Sequence, residues 1–535
     1  MRLMLPRAGS TGGALVVLLA VLVFCPALGG AFLRDDIQLL GTGSRLPSYS
    51  LASALSDNTW HTDRGAVYYR PAVFWSHRLD LALWGHDATG HHLTNLVGFA
   101  ALVLALHELL LALGYGGRAR LVALALFAVH PAHVDVIAWV SGRADLLATL
   151  GGVLGWLALV RRPTFPGALM AAAALLFACL AKEVGVCFLA AAALLPAPEE
   201  KPRRRAARLA LALALPALLY AGLRLSSHPR PASSVGRPPQ SALELAFVTT
   251  VNARLWGRYL ATVVTGADYG PMAHDEVMAR LAREAGGSAA LADHLRAQPD
   301  LELAACALAL LAFAPWLWRR ARADARDRAA IALALSSLLI ATNLTSTRVQ
   351  ILFAPRYLMP VLVGAAVLVA GALDRARSPR LAAALCGLLA VVFAANARDR
   401  IPTYANPRSF YEHAVIANPD SPQAHLRIAT LYYTDGDYDT ALATAERAWE
   451  RLRDPALLEL ALESRLAKGD LATAVELAAA HRAVITDPET CALLAAAAAH
   501  LARWDLAREF ADRAGNDPRA AAARAQALRV LSAPH

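Results

Sequence analysis

Over its first 400 residues the chain alternates between long apolar runs and short polar breaks, and this alternation defines its elements. The runs extend for about 15–25 residues without charge, enough to cross a hydrocarbon layer about 30 Å thick. They predict a first span at 14–28 and further spans near 93–115, 119–139, 144–160, 167–181, 184–196, 207–225, 301–318, 328–343, 356–373 and 381–396, about eleven in all. A polar loop rich in Gly, Ser, Pro and Trp occupies 32–92, and a second long loop occupies 226–300. Inside that second loop, 243–266 is apolar but carries Arg254 and Arg258 one turn apart on one helix face. Two arginines are expensive in hydrocarbon, so this segment reads as a helix lying on the membrane surface.

After about residue 400 the pattern changes to amphipathic helix with charges throughout. Gly436-Asp437-Tyr438, Gly469-Asp470-Leu471 and Ala502-Arg503-Trp504 recur at intervals of 33 residues, each followed by an alanine at 441, 474 and 507. Small, turn-forming and aromatic residues at this period predict paired helices stacked as a tetratricopeptide solenoid. The expected architecture is all-α. A polytopic helix bundle over 1–400 carries the two long loops, and a helical-repeat domain covers 401–535.

Composition agrees with this division: 57% of the 535 residues are hydrophobic and 18% charged, against about 45–50% and 25% in soluble domains. The formal charge of +10 does not point to nucleic acid, because the basic residues cluster between apolar runs: Arg161-Arg162, Lys201 with Arg203 to Arg205, Arg319 with Arg320 and Arg322, and Arg375 to Arg380. That is the distribution that orients membrane spans. With the N-terminus cytoplasmic, every such cluster falls on the cytoplasmic side, and the loop 32–92, the loop 226–300 and the repeat domain fall opposite. The segment Met1–Ala31 reads as an uncleaved anchor rather than a signal peptide, since Asp35-Asp36 follows it at once. The six cysteines show no CxxC spacing, so neither disulfides nor zinc are expected.

Ionisable residues at span ends are costly and therefore informative. Asp35-Asp36 follows the first span; adjacent carboxylates repel, which suits one of them to general base work, although a solvated interfacial pair has the same spacing. Arg70 in Tyr69-Arg70-Pro71 comes next; then His92 and Asn95, at the entry to the second span, suit loop orientation by hydrogen bonds or helix capping rather than chemistry when taken alone. The densest run is His130-Pro131-Ala132-His133-Val134-Asp135, with Trp139 and Ser141-Gly142-Arg143-Ala144-Asp145 after it. Two histidines and a carboxylate suit a divalent metal or, equally, a hydrogen-bonded network without one; the metal is not favoured. Lys182-Glu183 and Arg356-Tyr357 complete the set. Arg143, Lys182 and Arg356 map to the same face as the acidic pair, where an anionic lipid phosphate and a base would meet.

These motifs together resemble the transmembrane and tetratricopeptide-repeat O-mannosyltransferases, a family of GT-C-fold glycosyltransferases. The resemblance rests on Tyr69-Arg70-Pro71, on His92 to Asn95, on the run from His130 to Leu147, on Ala181-Lys182-Glu183-Val184-Gly185 and on the trailing repeats. It implies that Asp35 is the catalytic carboxylate with Asp36 as its acidic neighbour. It also implies that Arg143, Lys182 and Arg356 lie near a lipid-linked sugar phosphate. Departures are Asp135 where the family often has Glu, Phe99 where it often has a second His, and Pro355 where a Glu usually precedes Arg-Tyr.

The expected reaction is inverting transfer of mannose or another hexose from a polyprenyl phosphate to a Ser or Thr hydroxyl of an exported polypeptide. Asp35 would take the hydroxyl proton, and the repeats would hold the polypeptide. No cofactor beyond the lipid-linked donor is expected. Rival expectations are another lipid-linked-glycan enzyme, a ligase or polymerase, or a non-catalytic scaffold that recruits partners through its repeats.

Overall fold

The fold is taken from a computed structural model that describes residues 10–44, 46–50, 52–56, 69–196, 201–227, 241–267, 270, 301–342, 353–515 and 517–531. Residues 57–68 of the first long loop and most of the second therefore lie outside the described residues; the rest of the first is not all loop, since Pro71–Trp84 is a helix of 14 residues. The described chain is helical, without a β-strand. It forms two compact units, Met1–Tyr269 with Val277–Asn406, and Gly270–Glu276 with Pro407–His535.

Among the described residues of the first unit, seven helices are long and apolar enough to cross a membrane: Thr11–Gly29, Ala88–Ala112, Val140–Arg161, Pro202–Ser226, Leu303–Ala323, Pro355–Asp374 and Pro379–Tyr404. An eighth is counted if Gly117–Ala128 and Pro131–Ile137 form one span, bent by 46°. The bend falls at His130-Pro131, where the proline lacks an N–H and disfavours helix in the residue before it. The eleven expected runs and these helices differ for local reasons. Phe165–Ala181 is helical but has 17 residues, and Gly185–Ala192 has eight. Ala325–Thr342 opens on three charges, Arg326, Asp327 and Arg328. The segment with two arginines is a helix, Ala242–Thr265, in which Arg254 is buried against protein.

Tight packing brings these helices together. Side-chain atoms of Leu121 and His107 lie within about 3 Å of where a Cβ would stand on Gly12 and Gly13, so the first helix abuts Ala88–Ala112 and Gly117–Ala128. Polar bonds then sort the helix ends into two groups. At one end, Asp324 pairs with Arg326 and Arg375, Arg326 donates to the carbonyl of Leu113, and Gly116 N–H donates to Asp374. The polar run from His130 to Asp145 lies at the other.

In the second unit, helices come in pairs at a regular interval: Pro422–Thr434 with Tyr438–Leu452, Pro455–Ala467 with Leu471–His481, and Pro488–His500 with Trp504–Ala514. Each first helix begins with proline behind a side-chain cap, Ser421, Asp454 or Asp487, which accepts from the backbone of the first turn. Each turn needs a left-handed residue, supplied by Gly436 (φ 81°), Gly469 (φ 82°) and Ala502 (φ 56°). Ala441, Ala474 and Ala507 are fully buried, where only a small side chain admits the neighbouring helix.

Candidate active site

The acidic pair divides into two different groups. Asp36 is fully buried at the start of the short helix Asp35–Leu40, and its carboxylate accepts four bonds. Oδ1 takes the backbone N–H (2.8 Å) and the hydroxyl of Ser141; Oδ2 takes the N–H of Leu33 (3.2 Å) and of Val140 (3.3 Å). Burial pushes the Asp36 carboxyl up to about 7 against the lowering effect of the Ser141 hydroxyl and the backbone donors. Asp35 is half-buried, and among the described residues its side chain has no hydrogen-bond or ion-pair partner. Asp36 thus anchors the loop, while the Asp35 carboxylate is left unpaired among the described residues.

The Ser141 turn is held by its own sequence. A Cβ on Gly142 would stand 2.7 Å from the carbonyl of Asp135 and 2.9 Å from Cα of Val136, so only glycine admits this approach. Beneath it, Arg143 is 1% exposed. Its guanidinium meets Asp80 Oδ2 (2.5 Å), Asn95 Oδ1 (2.7 Å) and the His91 carbonyl (3.0 Å). Asn95 in turn donates to the carbonyls of Val136 (3.1 Å) and Val140 (3.2 Å), and His92 Nδ1 lies 3.2 Å from that of Ile137. These residues knit Ala88–Ala112 to the 130–145 segment. Arg143, grouped by sequence with the phosphate-facing cations, is instead buried and held by these internal partners through Nε and one terminal nitrogen.

The other cations do converge. Lys182 Nζ contacts both oxygens of Asp145 (2.6 and 2.7 Å) and stands 4.5 Å from the centre of the Tyr357 ring. Arg356 reaches Asp135 Oδ2 from its N–H and its guanidinium, both at 3.2 Å, and Asp145 at 3.9 Å. Its guanidinium lies 4.6 Å from the Trp139 ring and 4.8 Å from Tyr357. Arg70 pairs with Glu183 at 3.2 Å. The turn bearing Lys182 and Glu183 is packed hard on the preceding helix end, because Gly185 leaves no room for a Cβ against Ala178 and Cys179. Side chains of Arg70, Lys182 and Arg356 are each 12–13% exposed, buried enough to strengthen their fields and open enough to meet a ligand.

His130 and His133 stand apart from this cluster. His133 Nε2 lies 2.9 Å from the Phe127 carbonyl, and its ring is packed on Phe99 and Phe127. His130 Nδ1 accepts from Ala132 N–H, and its ring rests on Phe393. Among the described residues no group of three or more His, Cys, Asp or Glu is placed to hold a metal. Their role is to brace the bend at Pro131.

Two participants escaped sequence reasoning. Tyr404 donates to Asp135 Oδ1 at 3.1 Å from 269 residues away, and nothing local in the chain signals it. Arg34 lies 5.1 Å from the centre of the Trp139 ring, the same indole that carries Arg356, and has φ 50°, ψ −116°. An arginine between a buried leucine and an acidic pair was the available signal.

No protein-family profile and no solved structure matches the chain. Curated proteins do. Protein O-mannosyl-transferase Tmtc1 of Drosophila melanogaster is 33% identical over 147 residues, 26% of this chain and 17% of that protein. Protein O-mannosyl-transferase TMTC4 of Homo sapiens is 30% identical over 166 residues, 26% of this chain and 21% of that protein, and TMTC3 of Mus musculus 30% over 141, 25% and 15%. The match spans about a fifth or less of these relatives' own length. Over about a quarter of its residues, this chain is a homologue of the proteins named TMTC O-mannosyl-transferases.

Proposed function

We propose that the chain is an integral membrane glycosyltransferase. In this reading it moves mannose or another hexose from a polyprenyl phosphate to a Ser or Thr hydroxyl of an exported polypeptide, with inversion. One observation carries the reading: a carboxylate without a partner among the described residues, Asp35, stands in a loop pinned by Asp36 to the Ser141 turn, and the preceding residue, Arg34, shares the Trp139 indole with Arg356. A base and cations at one membrane lip are what transfer from a phosphate-linked donor requires. Asp35 takes the acceptor proton as the hydroxyl oxygen attacks the anomeric carbon. The C–O bond to phosphate breaks on the opposite face, and Lys182, Arg356 and Arg70 stabilise the departing phosphate, so no protein acid is needed.

The likeness to the proteins named O-mannosyl-transferases supports sugar transfer as the class of reaction. The basic clusters at the far helix ends support a non-cytoplasmic face for the site. The second unit reads as a tetratricopeptide-type array that receives the acceptor polypeptide on that same face. The test is intact-mass glycoproteomics of exported proteins in cells with the gene, without it, and with Asp35→Asn. Loss of a hexose from Ser or Thr in both altered strains is expected; unchanged glycans in the deletion strain would remove the proposal.

A further inference from the structure

Arg34 holds a backbone conformation that its side chain does not favour. At φ 50°, ψ −116° it lies in the positive-φ half of the map and outside the left-handed helical well in which Arg453 (φ 53°, ψ 31°) sits. Elsewhere the chain uses glycine at most positive-φ positions, among them Gly85, Gly114, Gly436 and Gly469. Here it uses arginine. The strain is imposed from both sides: Leu33 and Asp36 are both fully buried, Leu33 N–H donates to Asp36 Oδ2, and Asp36 N–H donates back to the Leu33 carbonyl at 2.9 Å. A residue locked between two such anchors has its direction decided by the fold, and strain of this kind persists where the surroundings over-determine it, commonly at ligand sites.

What the strain accomplishes is placement of a charge. The guanidinium of Arg34 rests over Trp139, one residue before Asp35 in the chain, and Arg356 rests over the same indole. Two guanidinium groups repel each other; the shared ring offsets part of that repulsion through its π-face. An anion between or beside them would offset it further. Arg356 is already bound to Asp135, and Lys182 to Asp145, so each brings its own counter-charge to the cluster.

We propose that Arg34 is a phosphate-binding residue, which with Arg356 grips the phosphate of the lipid-linked donor across Trp139. The proposal rests on the glycosyltransferase reading above and adds to it a residue that neither the motif resemblance nor the cation count had assigned. It also explains the economy of the loop: one strained residue fixes the cation, and the next carries the base, so donor and proton acceptor are held in register by a single peptide unit.

The experiment uses the full chain in lipid nanodiscs and two probes of equal chain length, farnesyl phosphate and farnesol. Binding of each is measured beside the thermal unfolding midpoint for wild type, Arg34→Gly, Arg34→Gln and Arg34→Lys. The wild type is expected to prefer the phosphate. Arg34→Gly should lose that preference at least tenfold while its midpoint stays level or rises, since glycine relieves the backbone. Arg34→Gln should lose the preference, and Arg34→Lys should recover part of it. If Arg34 serves only the fold, Arg34→Gly lowers the midpoint and Arg34→Gln keeps the full phosphate preference; that result overturns the proposal. A wild type that binds both probes equally defeats the donor reading itself, an outcome separable from failure of the Arg34 variants alone.

Discussion

Ser141 gives both its backbone N–H and its hydroxyl to the same oxygen of Asp36, a residue 105 positions earlier in the chain. This bond pair joins the loop after the first span to the turn between two others. It also assigns different work to two neighbouring carboxylates of identical chemistry.

Substitution of each member of the acidic pair should therefore fail in a different way. Asp35→Asn removes a base and no structural bond, so the thermal midpoint should match wild type while sugar transfer falls by about 10²–10⁴-fold. Asp36→Ala leaves buried donors on Leu33, Val140 and Ser141 without an acceptor, at about 1–3 kcal/mol for each unsatisfied group. Its yield and midpoint should drop. Equal midpoints for the two variants would refute the division.

The Asp36 carboxyl, raised to about 7 chiefly by burial, also has a consequence for pH. An unfolded aspartate titrates near 4. Between that value and about 7 the folded protein holds a proton that the unfolded chain has released, so this group's contribution to stability declines as pH rises across the window and is level above it. Comparing unfolding midpoints of wild type and Asp36→Asn from pH 4.5 to 8 isolates the effect. The wild-type midpoint should lose ground relative to the variant up to about pH 7; a constant difference would contradict it.

Lys182 and Asp145 form a close pair at 2.6 and 2.7 Å in which both partners are largely buried. Removing the carboxylate alone leaves the ammonium without its counter-charge, and removing both leaves neither. Asp145→Asn should cost more stability than the double change Asp145→Asn with Lys182→Met, the opposite of additivity. Lys182→Met should also raise the KM for the lipid donor. Strictly additive midpoints would show that the pair is not coupled.

In the repeat region, Ala502 stands at φ 56° where the equivalent turns use Gly436 and Gly469. A left-handed conformation costs an alanine about 1–2 kcal/mol relative to the right-handed one, and glycine escapes that cost. Ala502→Gly should raise the stability of the full chain by about 0.5–1 kcal/mol, since glycine also gains freedom in the unfolded state. Denaturant unfolding followed by hydrogen exchange in 488–514 reads this directly, and a lower stability would reject it.

The chain by itself determined the helical class, the location of most apolar helices, the 33-residue interval and the presence of ionisable residues such as Asp135, Asp145, Lys182 and Arg356 at helix ends. Each is a local property: the cost of exposing apolar groups and the turn chemistry of glycine and proline are legible residue by residue. Span number was less so, because Phe165–Ala181, Gly185–Ala192 and Ala325–Thr342 are apolar yet fall short in length or open on charge. Only the tertiary structure decided which polar groups are paired. Asp80 claims Arg143, Tyr404 claims Asp135, and Ser141 claims Asp36 rather than Asp35. A hydrogen bond forms or fails within a few tenths of an ångström, and that distance is set by how helices pack across a hundred residues or more, which no local pattern encodes.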